Sequence, residues 1–175
     1  VISALKKSAN DARQQLAERK RVEDILLEER ERLNLALNAA RMEMWNWNIE
    51  TGAVSWSEGI EAMFGMAKGQ FDGSYDTYLS LVHPDDLPVV QQAVNRALSD
   101  ANYDYVVEHR LIQQSGEVRW LEGRGRVFRN ADGIPIRMAG TVVDVTERKR
   151  GETERERLIQ ELAAKNTELE QFTYT

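Results

Sequence analysis

The apolar residues of the first 41 positions recur at the spacing of a helix. They follow one another at steps of three and four residues and slip once in phase: Ile2, Leu5, Ala9, Ala12 and Leu16, then Val22, Leu26, Leu33, Leu37 and Ala40. Residues 1–41 contain no glycine, proline or aromatic residue, which favours a long helix over a packed core. The pattern predicts a coiled coil with a stutter, and the alternative is an amphipathic helix lying on its own domain.

A second helical pattern runs through residues 148–175. Its seam, at alternate steps of three and four residues, consists of Arg155, Leu158, Leu162, Lys165, Leu169 and Phe172. Because two of these positions are polar, we expect a weak and adjustable coiled coil. A seam at each end of the chain predicts a parallel homodimer. Its apolar C-terminal contacts would be Leu158, Leu162, Leu169 and Phe172.

Between the two helices the pattern changes to that of strands. Trp45, Trp47 and Ile49 alternate with polar residues, which predicts a half-buried strand. The pair Thr-Gly at 51–52 then turns the chain into a second strand, 53–56. These two strands are expected to form a hairpin.

Three short helices are predicted next. Ser57 is positioned to cap the first, which runs to Phe64. The second covers residues 75–82. The third, residues 87–98, carries its apolar residues at helical spacing.

Three longer strands close this segment: residues 103–113, 117–128 and 134–145. Ser-Gly and Asp-Gly pairs mark the hairpin turns between them. Two strands, short helices and three strands in this order predict an α+β fold, in which the helices cover one face of an antiparallel sheet.

Composition divides the chain at the same places. All three prolines and all but one of the eleven glycines lie between residues 52 and 140, together with most aromatic residues. We therefore assign residues 42–147 to a globular domain, residues 1–41 to an N-terminal coiled-coil helix and residues 148–175 to a C-terminal one.

Charge and the missing cysteine exclude several classes of function. The formal net charge of −6 disfavours nucleic-acid binding, which needs a basic surface. Without cysteine there are no disulfides, thiolate metal sites or cysteine nucleophiles. This fits a reducing compartment, and we expect a cytoplasmic domain. No apolar run is long enough to span a bilayer, so no direct membrane insertion is expected from this chain, although its parent can carry an anchor upstream.

Four stretches, in this order and spacing, resemble the PAS family of sensor domains. Residues 35–52 are similar to the family's entry segment, and residues 82–87 (Val-His-Pro-Asp-Asp-Leu) to the turn that opens its long helix. Residues 108–121, with Glu-His-Arg-Leu and Gly-Glu-Val-Arg-Trp-Leu, resemble the paired strands of its PAC motif. Residues 140–148 resemble its exit motif, Asp-Ile-Thr followed by charges. The resemblance implies a PAS fold: a five-stranded antiparallel sheet with short helices on one face, flanked by long coiled-coil helices.

The resemblance also implies a small cavity against the inner face of the sheet. Strand alternation places six residues toward it: Leu121, Gly123, Gly125, Met138, Gly140 and Val142. The glycines would leave room for a small ligand. The alternative is that glycine relieves crowding in a twisted sheet, and that methionine and leucine fill the space.

No cofactor is predicted, and the ligand is unknown. Light-oxygen-voltage photoreceptors of this fold need a cysteine for their flavin adduct, and Val142 stands where they carry a flavin-contacting glutamine, so covalent flavin chemistry is excluded. Haem ligation is disfavoured because only two histidines are present. His83 precedes a proline in a turn, where we expect its ring to bond nearby backbone. His109 alternates with charged residues and is expected to face the surface. The two histidines also lack the spacing of a metal site.

Catalysis is not expected from this chain. Asp85 and Asp86 are explained by the positive end of a helix dipole, without chemistry. The sequence shows no nucleophile paired with a base and no phosphate-binding glycine loop.

The exit from the last strand is the predicted point of signal transmission. Asp144 or Thr146 would cap the first amides of the exit helix, and Glu147 would complement its dipole. The resemblance implies that the domain grips its output helix here, so that strain in the sheet can rotate or shift that helix.

The last residues point to the output. Residues 168–175 resemble the run that leads into the phospho-accepting helix of histidine kinases. This implies a two-component sensor histidine kinase whose kinase domain lies outside this chain. A diguanylate cyclase or another PAS domain is an alternative output. A ligand-free dimerisation spacer is an alternative role. The stimulus and the direction of the switch are left open.

Overall fold

In the computed structural model, the backbone of residues 2–173 and the side chains of residues 10–170 are described. The chain divides into two compact units, one ending at Arg41 and the other beginning at Met42. None of the helices in the described part has an apolar stretch long enough to cross a membrane.

The first unit is a single helix, α1 (Ile2–Ala39). It ends where Arg41 adopts a positive φ of 52°, the left-handed conformation that commonly terminates helices. Its exposed large apolar side chains are Leu16, Val22, Ile25, Leu26, Leu27, Leu33 and Leu35. The side chains of Ile2, Leu5 and Ala9 in the predicted seam lie outside the described residues. The coiled coil therefore stays a prediction.

The second unit contains every predicted strand and short helix. In chain order its elements are β1 (Met42–Asn48), β2 (Val54–Trp56), α2 (Glu58–Met63), α3 (Tyr75–Leu81), α4 (Leu87–Ser99), β3 (Tyr105–Ile112), β4 (Val118–Arg129), β5 (Pro135–Asp144) and α5 (Thr146–Thr173). The turn glycines 52, 116 and 133 all have positive φ, which is why glycine is needed between these strands.

The five strands form one sheet in the order β2-β1-β5-β4-β3, and all neighbours are antiparallel. The predicted α+β architecture is confirmed. The last strand, β5, occupies the centre of the sheet and leads directly into α5. The central strand is thus covalently continuous with the exit helix.

One predicted helix cap is wrong. The Ser57 side chain makes no capping hydrogen bond to α2. Its hydroxyl instead accepts from the backbone N–H of Met44 at 2.9 Å and bonds the carboxylate of Glu43. Ser57 thereby ties the start of α2 to β1. The side chain that does cap a short helix is Ser74, which accepts from the Thr77 N–H at 3.0 Å.

Asp86 stands at the N-cap position of α4, but its side chain does not cap the helix. Its carboxylate accepts from the backbone N–H of Arg110 at 2.7 Å and from the guanidinium at 2.6 Å. These bonds hold the pKa of Asp86 below its usual range. Stabilising the positive end of the helix dipole is therefore only part of the role of Asp86, because its carboxylate also connects the start of α4 to β3.

The glycine pair at the centre of the sheet allows an unusually close approach of β4 and β5. Gly140 lies opposite Gly125, and a Cβ at position 140 would meet the carbonyl oxygen of Arg124 and come within 2.6 Å of the Gly125 Cα. Both obstacles are backbone atoms, so a side chain here requires the strands to separate.

We predict that Gly140→Ala destabilises the domain by about 1–3 kcal/mol, the usual cost of overpacking. The matched control is Gly151→Ala in α5, where a Cβ meets nothing within 4 Å. There alanine is expected to stabilise the helix by about 0.5–1 kcal/mol. Urea unfolding of both variants measures the difference, and wild-type stability in Gly140→Ala would contradict the close approach.

Candidate ligand cavity and exit-helix junction

A cavity of about 60 Å³ lies between the inner face of the sheet and the short helices. Aromatic and aliphatic side chains form nearly all of its wall. The lining residues are Trp45, Trp47, Val54, Trp56, Ile60, Phe64, Tyr75, Tyr78, Val94, Tyr105, His109, Leu121, Gly123, Met138 and Val142.

Four of the six residues predicted from strand alternation line this cavity: Leu121, Gly123, Met138 and Val142. Gly125 and Gly140 do not. A Cβ at Gly125 would lie 2.6 Å from the Trp45 ring, and Gly140 faces the backbone of β4. The space beside glycine is taken by aromatic rings, since the Tyr105 ring likewise lies 3.2 Å from the Cβ position of Gly123.

The aromatic wall is the part that the sequence prediction missed. Trp47 stacks on Tyr75 with ring centroids 4.6 Å apart, and Trp45 meets Tyr105 edge-on at 5.9 Å. Trp56 stacks on Phe71. The alternation of Trp45 and Trp47 with polar residues along β1 could have predicted this wall, because both side chains face the buried side of the sheet.

His109 was predicted to face the surface, and this is wrong. Its side chain is only 2% exposed, and its Nε2 lies 3.2 Å from the hydroxyl of Tyr78. In β3 it shares the buried face with Tyr105, Val107 and Leu111. The residues two positions away therefore indicated its orientation, whereas the adjacent charged residues did not.

The polar groups of the cavity are uncharged at neutral pH. Burial lowers the pKa of His109 to about 4, and the nearby charge of Asp86 opposes this only in part. Burial raises the pKa of the Tyr78 and Tyr105 hydroxyls. Two further atoms, Nδ1 of His109 and Nε1 of Trp47, are buried without a hydrogen-bond partner among the described residues.

The second histidine, His83, lies in the turn before α4. Nδ1 of His83 accepts from the backbone N–H of Asp85 at 3.3 Å, as expected for this turn. Within the described chain, no three histidine or carboxylate side chains come together as a group that could hold a metal ion.

At the other end of β5, Thr146 joins the exit helix to the sheet. Its hydroxyl accepts from the backbone N–H of Trp120 in β4 at 2.9 Å, and the Trp120 carbonyl accepts from the Val145 N–H at 2.8 Å. The Thr146 side chain, 3% exposed, thus continues the β4–β5 ladder after the backbone has turned into α5. Of the two capping candidates, Thr146 and Asp144, the Thr146 hydroxyl therefore has its partner in the sheet.

Asp144 and Glu147 flank this contact. Asp144 accepts from the Thr146 N–H at 2.8 Å and pairs with Arg119 at 3.3 Å. Glu147 is exposed in the first turn of α5 and pairs with Arg150 at 2.8 Å. Asp144 therefore orients the first residue of the helix, whereas the Glu147 carboxylate pairs within the helix itself.

Ion pairs fasten the first turn of α5 to the outer face of the sheet. Glu108 in β3 binds both Lys149 and Arg148 at 2.5 Å, and Arg148 also approaches Glu122 of β4 at 3.6 Å. Lys149 and Arg148 together lower the pKa of Glu108. These groups are partly exposed, so each pair adds little stability. Together they connect the first turn of α5 to both β3 and β4.

Of the predicted dimer seam in α5, Leu158, Leu162 and Leu169 are exposed in the single chain. The side chain of Phe172 lies outside the described residues. Every described residue from Gly151 to Glu170 is exposed, on all sides of the helix.

A family model described as the PAS fold matches residues 53–142. This chain belongs to the PAS family. The sensor protein FixL of Bradyrhizobium diazoefficiens is 29% identical to this PAS chain over 108 residues, 62% of this chain and 21% of FixL. A blue-light-activated histidine kinase of Brucella ovis is 27% identical over 134 residues, 77% of this chain and 26% of the kinase. The PAS chain therefore spans about a fifth to a quarter of the length of these curated relatives.

Solved PAS structures agree with this assignment. A sensory box histidine kinase/response regulator from Burkholderia thailandensis is 33% identical, with a TM-score of 0.66, and the match covers 76% of this chain and 98% of that one. The N-terminal domain of a diguanylate cyclase with a PAS/PAC sensor from Marinobacter aquaeolei matches at 23% identity and a TM-score of 0.56, covering 62% and 98%. The second likeness concerns the fold alone.

The buried histidine predicts that the PAS domain loses stability as the pH falls from about 6.5 to about 4. In this window the unfolded chain binds a proton at His109, whose ordinary pKa is 6.5, while the folded protein excludes it until about pH 4. The shift corresponds to a loss of about 3 kcal/mol across the window.

His109→Phe and His109→Gln remove this titration while leaving every carboxylate in place. Urea unfolding across the window should therefore show a smaller loss in both variants than in the wild type. Parallel stability curves for all three proteins would contradict the burial of a neutral histidine.

Proposed function

We propose that this PAS domain is a dimeric relay module of a sensor histidine kinase. It passes a change in its sheet through α5 to a kinase domain that lies beyond the chain. The observation that carries this proposal is the Thr146–Trp120 hydrogen bond, by which the first residue of the exit helix acts as part of the sheet. The chain itself is not proposed to be catalytic.

The junction is suited to relay because few atoms separate the cavity wall from α5. Val142 in β5 lines the cavity. Asp144, two residues later, ends the same strand, and Thr146 begins the helix; both make the hydrogen bonds that hold the helix. A shift of β5 against β4 therefore has to move α5 or break these bonds. A few kcal/mol is enough to bias a helix with two alternative packings.

Dimerisation is supported by the exposure of α5. Every residue from Gly151 to Glu170 is exposed, and most helical stability in proteins comes from the packing of an apolar face. Leu158 and Leu162 are 51% and 62% exposed and lie one seam step apart. A second copy packed in parallel along this seam would bury them and bring both output helices to the same end.

A kinase is the output favoured by the relatives. Kinases are named among both the curated relatives and the solved structures, including the 33% identical Burkholderia protein. The resemblance of residues 168–175 to the run before a phospho-accepting helix adds to this. Since kinases use cytoplasmic ATP, we place the module in the cytoplasm.

A diguanylate cyclase output is the second candidate, since PAS domains of this fold also occur in such proteins, as in the Marinobacter neighbour. The sequence of the parent protein beyond Thr175 distinguishes the two. A histidine-bearing helix is expected there, and a cyclase domain would overturn the kinase assignment. A ligand-free spacer would relay through the same junction, with its input arriving from upstream.

We predict that Leu158→Asp/Leu162→Asp weakens the dimer, because charges would enter the seam. The matched control is Gln160→Asp/Ala163→Asp, which adds the same charges and the same helix-disfavouring residues on other faces of α5. Light scattering across a dilution series should show monomers for the seam variant at concentrations where the control is dimeric. If the two variants associate equally, the dimer interface does not lie along this seam of α5.

Whether the two α5 helices run parallel can be tested by disulfide cross-linking, because the chain has no cysteine of its own. A single Arg155→Cys in the seam should form an intermolecular disulfide under mild oxidation only when two helices run parallel and in register. Arg157→Cys, outside the seam, should cross-link far less. Efficient cross-linking at both positions, or at neither, would contradict the parallel arrangement.

We predict that Asp144→Ala/Thr146→Ala uncouples two parts that each stay folded. Losing a cap-type bond costs about 0.5–2 kcal/mol, which is too little to unfold the domain but comparable to the bias of a switch. In the parent protein, autophosphorylation should become constant, either high or low, under conditions that change wild-type output.

The matched control, Asp132→Ala/Thr167→Ala, removes the same residue types from a turn and from the outer side of α5. It should retain the wild-type response. If the junction variant also responds as the wild type does, the signal runs through another route and Thr146 is only a structural contact.

A further inference from the structure

The turn that opens α4 binds the free edge of β3. At Arg110 the backbone N–H donates to the Asp86 carboxylate at 2.7 Å, and the carbonyl accepts from the His83 N–H at 2.9 Å. The Arg110 guanidinium also binds Asp86, at 2.6 Å. Only 17% of the Asp86 side chain and 28% of the Arg110 side chain are exposed, so salt screens this pair less than an ordinary surface ion pair. The start of α4 therefore cannot move without moving Arg110 or breaking these bonds.

The indole ring of Trp120 lies beside Arg110 on the outer face of the sheet. The two residues are direct partners in the β3–β4 register, and the guanidinium carbon lies 5.7 Å from the ring centroid. The Nζ of Lys149, in the first turn of α5, lies 5.3 Å from the centroid of the same ring. Both distances are within the range of about 6 Å over which an aromatic face attracts a cation, and tryptophan attracts cations best. One ring is thus shared by two cations.

Each cation at this ring has its own carboxylate. Arg110 is paired with Asp86 at the start of α4, and Lys149 is paired with Glu108 in β3. The two cations repel each other, and the carboxylates offset this repulsion. Asp85 approaches the guanidinium only at 3.5 Å and its side chain is 74% exposed, so it offsets the charge less than Asp86 does. Losing Asp86 would therefore leave Arg110 poorly compensated beside Lys149.

We propose that Trp120 couples the start of α4 to the first turn of α5, and so gives the domain a second route to its exit helix besides β5. The helix α4 packs on the core and carries Val94 in the cavity wall, so a change there can displace it. The displacement reaches Lys149 through the Arg110 guanidinium and the indole ring, without passing along β5. The inference rests on the proposed function only in taking α5 as the output.

The test is amide hydrogen exchange in variants of this chain, read at two amides on either side of Trp120. The Lys149 amide bonds the Val145 carbonyl at 2.9 Å and reports opening of the first turn of α5. The Leu87 amide bonds the His83 carbonyl at 3.1 Å and reports opening at the start of α4.

Asp86→Asn should speed exchange at Lys149 about twofold or more, the effect of losing one weak cation–π contact. Coupling between two sites is reciprocal, so Lys149→Met should speed exchange at Leu87 by a similar factor. Trp120→Leu removes the ring that holds both cations, and in that background neither substitution should affect the distant amide. Trp120→Phe keeps a weaker aromatic face and should leave a reduced coupling, and it is used instead if the leucine variant does not fold.

The matched control is Asp104→Asn. It breaks the pair of Asp104 with Arg126 at 3.0 Å, an aspartate–arginine pair at the other end of the same two strands. Exchange at Lys149 should not change. The Ile49 amide, bonded to the Ile136 carbonyl at 3.0 Å at the opposite end of β5, corrects each rate for changes in overall stability.

Unchanged exchange at Lys149 in Asp86→Asn would overturn the coupling, and so would an effect that persists in full in Trp120→Leu. Either result leaves the relay through Thr146 intact, because the junction variant tests that route separately in the parent protein. If the coupling is measured while the junction variant responds as the wild type does, Trp120 still links α4 to α5 and the route through Thr146 fails.

Discussion

The architecture depends on one hydrogen bond, in which the side chain of a helix residue accepts from a backbone N–H of the sheet. Thr146 begins α5, yet its hydroxyl occupies the place of a strand carbonyl opposite Trp120. Valine would have the same shape and no acceptor, and would leave a buried N–H without a partner. Because β5 is the central strand, the contact links the exit helix to the middle of the sheet. The ion pairs of Glu108 with Lys149 and Arg148 connect the first turn of the helix to β3.

The same strand connects the junction to the cavity. Met138 and Val142 of β5 contribute to the cavity wall, and the glycine pair at the centre of the sheet lets β4 and β5 approach closely. A tightly packed pair of strands transmits a displacement more readily than it absorbs one. The uncharged aromatic cavity and the polar junction therefore lie along the same strand, β5.

Local sequence patterns predicted the strands and helices. The wrong predictions concern side chains whose partners lie far away in the sequence. The alternation in β1, the helical spacing in α4 and the glycine turns depend on neighbouring residues, so they can be read from the sequence. Ser57 bonds Met44, and Arg148 bonds Glu108 across 40 positions. Neighbouring residues in the sequence do not indicate such pairs. His109 could have been placed from the apolar residues two positions away. The predicted dimer seam would depend on a second chain, and its spacing is all that can be read from one sequence.

The most direct measurement is amide hydrogen exchange at Trp120 and Lys149 in Thr146→Val, with Thr153→Val as the control in the same helix. The Trp120 amide is the donor to Thr146, and the Lys149 amide closes the first turn of α5 onto Val145. If sheet and helix are coupled, both amides should exchange at least about fivefold faster in Thr146→Val, the factor that corresponds to about 1 kcal/mol, and neither should change in the control. Faster exchange at Trp120 with unchanged exchange at Lys149 would show a hydrogen bond without coupling, and would contradict the relay.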